Sequence, residues 1–435
     1  MALSTQPYKG ARDFYPEDKR LQKYIFGKLR SVVEQFGYEE YDAPIIEPLE
    51  LYLTKTSEEI VNEQTYAFED RGGRQVVIRP EMTPTVSRMV AARRQELAYP
   101  LRWYSIPNLW RYERPQHGRL REHWQLNVDI FGVEDIVAEQ EIIMLADAIF
   151  KSFGAKPDMY TIKLNSRKFI NYVLGDYLSL KPEQAAKMCR LIDHMHRLDR
   201  ADFTSQADAI CVGSKAGTVE KMLSVLDAGS FDSLPPALRD HPGLAELQKT
   251  MSLLHEAGVT NVVFDVTLMR GFDYYTDLVF ELFDTHPDNN RAIMGGGRYD
   301  GLVALFGVEP LPTVGFGLGD VTLTDFLKIH ELLPKLPAET DLYVAVVGDV
   351  LQLAQKAIAE LRSKRLNLSV DLTGRKLDKQ LSMADKKGLR YVLIIGQQEI
   401  STGQFTLKDL QTGKEAKLTL DQIAEEITKS RHSEL

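Results

Sequence analysis

Cysteine is scarce in this sequence, and long apolar runs are missing from it. The two cysteines, Cys189 and Cys211, form neither the paired pattern of a disulfide-rich protein nor a cysteine-based metal site. No apolar run approaches the roughly 20 residues that cross a bilayer. The first residues, MALSTQPYKGARDFYPEDKR, are too polar for a signal peptide. We therefore expect a protein of the reducing cytoplasm with no membrane association.

Positive charge is also in deficit, since 53 Lys and Arg stand against 62 Asp and Glu and the formal net charge is -9. This balance argues against a surface that is basic throughout, although a local basic patch can still bind RNA. Hydrophobic residues make up 44% of the chain, which is enough for substantial cores, and 435 residues fit about three domains. The composition is typical of a large soluble enzyme.

Residues 101–131, LRWYSIPNLWRYERPQHGRLREHWQLNVDIF, contain all three tryptophans of the chain. In the second half of this stretch polar and apolar residues alternate, which predicts a half-buried strand with one polar face. That face carries His123, Gln125, Asn127 and Asp129. A shorter alternating stretch around Trp110 precedes it, and Pro115 and Gly118 mark a loop between the two. We predict an antiparallel hairpin whose polar face lines a pocket.

The same stretch contains five arginines, and three of them lie at the edges of the predicted loop: Arg102, Arg111, Arg114, Arg119 and Arg121 are the five, and Arg114, Arg119 and Arg121 are the three. A guanidinium presents its donors in a fixed fork that matches phosphate oxygens, so this density suggests a polyphosphate ligand. A solvated hairpin with scattered charges is the alternative. The polar strand face favours the ligand hypothesis, because a purely structural hairpin more often presents Thr, Lys and Glu to water.

Four segments carry a family resemblance. RYERPQHGRLREHWQL resembles motif 2 of class II aminoacyl-tRNA synthetases and, within that class, the histidyl-tRNA synthetase family. RGFDYY at residues 270–275 closely matches RGLDYY, a signature of the same family, and MGGGRYDG at residues 294–301 is similar to another of its motifs. GYEEYDAPIIEPLELY at residues 37–52 resembles motif 1, which builds a homodimer interface in the family. The resemblance covers almost the whole chain.

The resemblance implies ATP-dependent activation of L-histidine and transfer of the histidyl group to tRNA(His), with Mg²⁺ accompanying ATP as substrate. The implied catalytic residues are Arg111 and Arg270, which hold the carboxylate and the α-phosphate. The implied histidine-binding residues are Glu81, Thr83, Arg111, Gln125, Asp129, Arg270, Tyr274, Tyr275 and Tyr299. The implied ATP-binding residues are Arg111, Glu113, Arg119, Arg121 and His123. No protein metal site is implied.

Several of these residues also have simpler explanations. Thr83 is equally well explained as the N-cap of a helix that has Pro84 at its first position. Arg270 could be a surface charge beside Asp273, and residues 294–301 could form a tight glycine-rich turn. Glu81, in contrast, is a carboxylate well suited to neutralise an ammonium group.

The resemblance implies an α+β catalytic domain with an antiparallel sheet of the class II synthetase type, split into residues 1–166 and 259–330. Helical spacing and the absence of strand patterns predict a helical insertion at residues 167–258. Its histidines His194, His196 and His255 have no paired acidic or cysteine ligands and are interpreted as ordinary helix residues. A linker at residues 331–340 leads to an α/β domain at residues 341–435, where strands and helices alternate.

The last domain resembles the anticodon-binding domain of the same family. Basic residues cluster in its sequence: Arg362, Lys364, Arg365, Arg375, Lys376, Lys379, Lys386, Lys387 and Arg390. Such a cluster could bind an RNA backbone, and a solvated run of charges explains it equally well without the resemblance.

Three positions depart from the family pattern, and one of them is Asp129, which stands where bacterial members often carry Glu. Thr322 stands where class II synthetases usually carry an arginine that contacts the γ-phosphate of ATP, and we hypothesise that Arg119, Arg121 or Arg298 takes over. His123 stands where the family carries a phenylalanine that stacks on adenine.

Two other functions stay open. A catalytically silent paralogue, the regulatory subunit of ATP phosphoribosyltransferase, would explain the loss of the motif 3 arginine. The intact arginine loop, RGFDYY and the C-terminal domain disfavour it. A prolyl or threonyl enzyme of class II is disfavoured by RGFDYY alone.

Overall fold

The computed structural model describes residues 3–53, 64–116, 118–269, 274–289 and 291–433. The chain forms two compact units, Met1–Leu333 and Pro334–Leu435. Among the described residues, no helix is long and apolar enough to cross a membrane.

A large sheet forms the centre of the first unit. Its strands are β1 (Glu39–Glu40), β5 (Leu101–Ser105), β6 (Asn108–Trp110), β7 (Glu122–Phe131), β8 (Tyr160–Ser166), β9 (Val262–Phe264), β10 (Leu278–Asp284), β11 (Ala292–Arg298) and β12 (Thr313–Gly319). Their order is β1-β5-β7-β12-β11-β10-β8-β9, with β6 also paired to β7. The pairs β1–β5 and β8–β9 are parallel and the others are antiparallel. A small antiparallel sheet of β2 (Ile46–Pro48), β3 (Tyr66–Glu69) and β4 (Gln75–Ile78) has the order β2-β4-β3.

Helices of the first unit pack against this sheet or follow it in the chain. They are α1 (Pro16–Gln35), α2 (Glu50–Leu53), α3 (Thr83–Ala92), α4 (Val137–Ser152), α5 (Arg167–Tyr172), α6 (Pro182–Asp193), α7 (Arg200–Ile210), α8 (Thr218–Leu226), α9 (Pro242–Glu256) and α10 (Asp320–Ile329). Single helical turns lie at Val173–Tyr177, Met195–Arg197, Phe231–Ser233, Pro236–Leu238 and Val303–Phe306.

Helix α1 forms because its apolar residues recur at helical spacing and Pro16 occupies its first turn. Ile25, Leu29 and Val33 are buried, and they join the same core as Val128 of β7. The helix ends at Gln35 and is followed by Phe36 and Gly37. Gly37 has a φ of +81°, a conformation that glycine adopts without strain. The apolar face of β7 is thus covered by helices, and its polar face is left for a site.

Residues 167–258, predicted as a helical insertion, consist of α5 to α9 and connecting turns. Their buried residues, such as Met188 and Leu247, belong to the same core as the central sheet. The boundaries of a separate insertion domain stay a prediction.

The second unit has a five-stranded mixed sheet. Its strands are β13 (Leu342–Val346), β14 (Leu368–Val370), β15 (Tyr391–Ile395), β16 (Phe405–Asp409) and β17 (Glu415–Leu418), and its helices are α11 (Leu351–Ser363), α12 (Leu377–Lys386), α13 (Gln397–Thr402) and α14 (Leu420–Ser433). The order is β14-β13-β15-β16-β17, with β13 parallel to β14 and β15 and the remaining pairs antiparallel. The predicted α/β fold class is confirmed.

Two local predictions were wrong. Met294 to Arg298 form part of β11 and not a turn, and this strand is paired on both sides. Glycine suits this strand because neighbouring groups leave no room for a side chain. A Cβ on Gly297, for example, would lie 2.8 Å from Cδ1 of Tyr275. Thr83 is the first residue of α3 and Met82 occupies the N-cap position, so Thr83 is not the cap.

Candidate active site

The predicted hairpin is confirmed. Strands β6 and β7 pair antiparallel, with Asn108 opposite Trp124 and Trp110 opposite Glu122. We call residues 111–121 the arginine loop. Its base is closed by a hydrogen bond of 2.8 Å from the backbone nitrogen of Arg111 to the carbonyl oxygen of Arg121. The loop therefore stands on a rigid two-stranded base, and His117 within it lies outside the described residues.

Three arginines of this loop are held differently. Arg121 donates from Nε to the carbonyl oxygen of Glu113 at 3.0 Å, and its guanidinium lies 4.0 Å from the ring centre of Tyr112. Arg119 forms an ion pair of 3.0 Å with the buried Glu113 and is half exposed. Arg111 donates from Nε to the carbonyl oxygen of Pro80 at 2.9 Å, so it lies next to Glu81. Two of these cations thus have no carboxylate partner among the described residues.

His123 of β7 is surrounded by positive charge. Desolvation, followed by the charges of Arg111, Arg12 and Arg119, lowers the pKa of His123 to about 3. Its imidazole is therefore neutral at physiological pH. A neutral ring beside several cations suits stacking against a nucleobase whose phosphates carry the negative charge.

Arg12 is a site residue that sequence reasoning missed. It bonds to the carboxylate of Asp320 at 2.8 Å, and its guanidinium lies 5.0 Å from the ring centre of Phe14 and 5.7 Å from that of Trp124. Asp320 also accepts a bond of 2.9 Å from the backbone nitrogen of Trp124. No local pattern reveals the pair, because its two residues are 308 positions apart.

Asp129 and Tyr299 form a buried pair. The hydroxyl of Tyr299 donates to Oδ1 of Asp129, and the two residues are only 3% and 4% exposed. Desolvation raises the pKa of Asp129 to about 7, and the hydrogen bond from Tyr299 opposes this shift. Desolvation and the nearby carboxylate also raise the pKa of Tyr299. Such a carboxyl group changes protonation easily near neutral pH and suits the recognition of an imidazole N–H.

Glu81, Tyr274 and Tyr275 lie beside this pair. The hydroxyl of Tyr274 donates to Oε2 of Glu81 at 3.3 Å, although both residues are buried and 193 positions apart. The ring centre of Tyr274 lies 4.9 Å from that of Tyr275 and 5.5 Å from that of Tyr299. The structure therefore brings the predicted ammonium ligand and the predicted imidazole ligands to one place.

Gln125 and Asp129 lie over glycines of the neighbouring strand. A Cβ on Gly317 would lie 2.5 Å from Nε2 of Gln125, and a Cβ on Gly315 would overlap Oδ1 of Asp129. The glycines of β12 thus make room for polar side chains of the pocket. Thr83 stands two residues after Glu81, and its hydroxyl makes no hydrogen bond within the described part of the chain.

Two predicted phosphate ligands are not placed by the structure at the arginine loop. Arg270 lies outside the described residues, so its convergence with Arg111 stays a prediction. Arg298 is 4% exposed, donates from Nη2 to Glu139 at 2.7 Å and from Nη1 to the carbonyl oxygen of Val133 at 3.0 Å. The guanidinium is therefore occupied by Glu139 of α4 and by Val133, which precedes that helix. This contradicts the hypothesis that Arg298 replaces the motif 3 arginine.

No group of three His, Cys, Asp or Glu side chains gathers at metal-binding distance in the residues that the structure describes. At the arginine loop the available carboxylate is Glu113, which already pairs with Arg119. The guanidinium groups of the loop are suited to a polyanionic ligand.

Known proteins resemble this chain over its whole length. The family model described as Histidyl-tRNA synthetase matches residues 10–321, and the Anticodon binding domain model matches residues 341–430. The chain is 43% identical to a histidine–tRNA ligase of Leptospira biflexa, over 98% of this chain and 99% of that protein. It is 38% identical to a histidine–tRNA ligase of Thermoplasma volcanium, again over 98% and 99% of the two chains.

A solved structure shares the fold. The histidyl-tRNA synthetase of Nostoc sp. PCC 7120 superimposes with a TM-score of 0.81 at 24% identity, covering 99% of this chain and 100% of that one. The family model and the relatives at 43% and 38% identity confirm the family predicted from the motifs: the chain belongs to the histidyl-tRNA synthetases, which are class II aminoacyl-tRNA synthetases.

Proposed function

We propose that this protein is a histidine–tRNA ligase, which activates L-histidine with ATP and transfers the histidyl group to tRNA(His). The observation that carries the proposal is the buried Asp129–Tyr299 pair beside Glu81 and Tyr274, at the edge of an arginine loop. One side of this site suits an imidazole and an ammonium group, and the other suits a polyphosphate.

Histidine binds with its two polar ends held apart. The ammonium group lies near the buried carboxylate of Glu81, with Thr83 and Gln125 as further acceptors. The imidazole lies near Asp129, Tyr275 and Tyr299, and an imidazole N–H donates to the Asp129 carboxylate. An amino acid without a ring N–H leaves a buried acceptor unsatisfied, which costs about 1 to 3 kcal/mol per group.

The first reaction step joins histidine to the nucleotide. An oxygen of the histidine carboxylate attacks the α-phosphorus of ATP, the bond to the β-phosphate oxygen breaks, and pyrophosphate leaves. Arg111, with Arg270 as its proposed partner, holds the carboxylate and the α-phosphate in line and stabilises the charge of the transition state. No covalent enzyme intermediate is needed.

ATP lies along the arginine loop, and the Mg²⁺ that accompanies it as part of the substrate would neutralise phosphate charge. The neutral ring of His123 stacks on the adenine, and Arg119 and Arg121 supply positive charge towards the phosphates. Glu113 keeps Arg119 oriented through their ion pair of 3.0 Å. In the second step a ribose hydroxyl of the terminal adenosine of tRNA attacks the histidyl carbonyl carbon, and AMP leaves.

The second unit binds the tRNA through an exposed basic loop. Arg375, Lys376 and Lys379 are exposed at the start of α12. The buried Gln380 anchors this loop, because its Nε2 donates to the carbonyl oxygen of Arg375 at 2.6 Å and to that of Val346 at 2.7 Å. An anchored row of cations suits an RNA backbone. The homodimer and the cytoplasmic location stay predictions.

Aminoacylation tests this function. Labelled histidine, ATP, Mg²⁺ and a tRNA(His) transcript should give acid-precipitable histidyl-tRNA, and omission of ATP should abolish it. Labelled threonine and proline are the controls for other class II specificities. Charging with either of these in place of histidine would overturn the proposal.

A further inference from the structure

Thr322 occupies the motif 3 position, and its side chain is used internally. Its hydroxyl donates to the carbonyl oxygen of Ile293 at 2.8 Å and lies 3.2 Å from that of Gly319. Its methyl carbon lies 3.7 Å from the position of a Cβ built on Gly118, in the arginine loop. Thr322 therefore borders the phosphate end of the site but offers it no charge.

Arg291 reaches the same point from the neighbouring strand. It directly precedes β11, and its Cδ also lies 3.7 Å from a Cβ built on Gly118. Strand β11 pairs with β12, which leads directly into the helix that carries Thr322. The side chain of Arg291 therefore reaches the same part of the arginine loop that an arginine at position 322 would reach.

Arg291 is held beside other cations. It is half-buried, and it makes no hydrogen bond or ion pair to any residue that the structure describes. Desolvation, followed by the charges of Arg119 and Arg197, lowers the pKa of Arg291, and the carboxylate of Glu113 acts in the opposite direction. Gathering like charges around one point is unfavourable unless an anion binds there.

The other candidates for this task are already engaged. Arg298 is bound to Glu139, and Arg121 is held by Glu113 and the ring of Tyr112. Arg119 has its ion pair with Glu113. Arg291 is the cation of this group whose donors remain available within the described structure.

We propose that Arg291 binds the γ-phosphate of ATP, replacing from strand β11 the arginine that is absent at Thr322. The inference rests on the proposed function, because it assigns a residue to one subsite of the same ATP-dependent reaction. Its guanidinium fork grips two γ-phosphate oxygens and fixes the pyrophosphate leaving group while the α-phosphorus reacts.

Histidine-dependent ATP–pyrophosphate exchange with the full chain tests the proposal, because this assay contains no tRNA. Arg291→Gln should lower kcat/KM for ATP about 100-fold and raise KM for pyrophosphate. KM for histidine and inhibition by AMP, which lacks the γ-phosphate, should stay unchanged. Arg71→Gln, at an exposed turn of the same unit, is the matched control and should behave as the wild type.

Restoring the lost arginine gives a second test. In the double variant Arg291→Gln with Thr322→Arg, most of the ATP dependence should return, because both side chains border the same point at Gly118. Should Arg291→Gln fail to fold, Arg291→Lys keeps the charge without the fork and should show a smaller loss that is still confined to ATP and pyrophosphate.

Three results would overturn the assignment. They are exchange kinetics equal to the wild type, a loss that extends equally to AMP, and a defect that appears only in aminoacylation, which would place Arg291 against RNA. Wild-type exchange is the reference in every comparison. An inactive wild type would refute the proposed function itself, whereas an active wild type with an unaffected variant would refute only the role of Arg291.

Discussion

The hydroxyl of Tyr299 donates a hydrogen bond to Oδ1 of Asp129, and both residues are almost fully buried. The two are 170 positions apart in the chain, and β12 lies between β7, which carries Asp129, and β11, which Tyr299 directly follows. The pair gives this site a carboxyl group whose pKa lies close to physiological pH.

Asp129→Asn should change the pH dependence of stability. The pKa of Asp129 is about 7 in the folded protein against an ordinary value of 3.8, so the folded state holds a proton that the unfolded state has lost between these values. The contribution of Asp129 to stability therefore falls as pH rises from 4 to 7, by at most about 4 kcal/mol. The amide side chain of the variant cannot titrate. The variant should thus gain in free energy of unfolding, relative to wild type, between pH 5 and pH 8.

Urea unfolding of variant and wild type at pH 5 and at pH 8 measures the difference between their free energies of unfolding. The titration of all other groups cancels in this comparison. A difference that stays constant with pH would contradict the assignment of a raised pKa to Asp129.

Gly317→Ala should affect histidine more than ATP. The new methyl group would lie 2.5 Å from Nε2 of Gln125, whose flexible side chain must then move away from the histidine pocket. We expect a clear rise of KM for histidine, a smaller effect on KM for ATP, and a folded protein. The measurement is the rate of ATP–pyrophosphate exchange as the concentration of histidine, and then that of ATP, is varied.

Gly27→Ala is the matched control, since a Cβ there meets nothing within 4 Å and the residue lies inside α1. It should leave both KM values unchanged and stabilise the protein by about 0.5 to 1 kcal/mol. Equal effects of Gly317→Ala on both substrates would argue for a general distortion of the sheet instead.

Arg298→Ala should lower the free energy of unfolding of the protein, and it should have no specific effect on ATP binding. The change leaves the buried carboxylate of Glu139 without its partner, which costs about 3 to 5 kcal/mol. Arg93→Ala breaks the exposed pair with Glu96 and should cost less than about 1 kcal/mol. Chemical unfolding and KM for ATP are measured together. A large rise of KM for ATP at unchanged stability would return Arg298 to the phosphate site.

The triple variant Arg375→Ala, Lys376→Ala and Lys379→Ala should separate tRNA binding from activation. Removal of three exposed cations weakens contact with an RNA backbone and flattens the salt dependence of binding. We expect a lower kcat/KM for tRNA and unchanged ATP–pyrophosphate exchange. Removing the same charge elsewhere on the unit, at Lys414, Lys417 and Lys429, should have a much smaller effect. Equal losses in both triple variants would refute a localised RNA surface.

Local periodicity predicted much of the fold and part of the pocket. The alternation in β7 placed Gln125 and Asp129 on one face, because a strand's two-residue period is a local property. Helix α1 and the alternating strands and helices of the second unit were predicted from local periodicity in the same way. Glu81, Tyr274 and Tyr299 entered through family motifs, and the structure brings them together.

The errors and omissions came from contacts that are distant in the chain. Glycine favours turns locally, yet Gly296 and Gly297 lie inside β11 because Phe316 and Tyr275 fill the space beside them. The pairing of Arg12 with Asp320 has no local signal. The approach of Arg291 to Thr322 depends on the pairing of two strands, so neither residue predicts the other.

Histidine-dependent ATP–pyrophosphate exchange, with each amino acid supplied in turn, tests the central claim most directly. We predict exchange with histidine and none with threonine or proline, because in the proposed function Asp129 and Tyr299 recognise the imidazole and the arginine loop holds ATP. Exchange with a different amino acid would contradict the claim. The absence of exchange with every amino acid would also contradict it and would favour a catalytically silent paralogue.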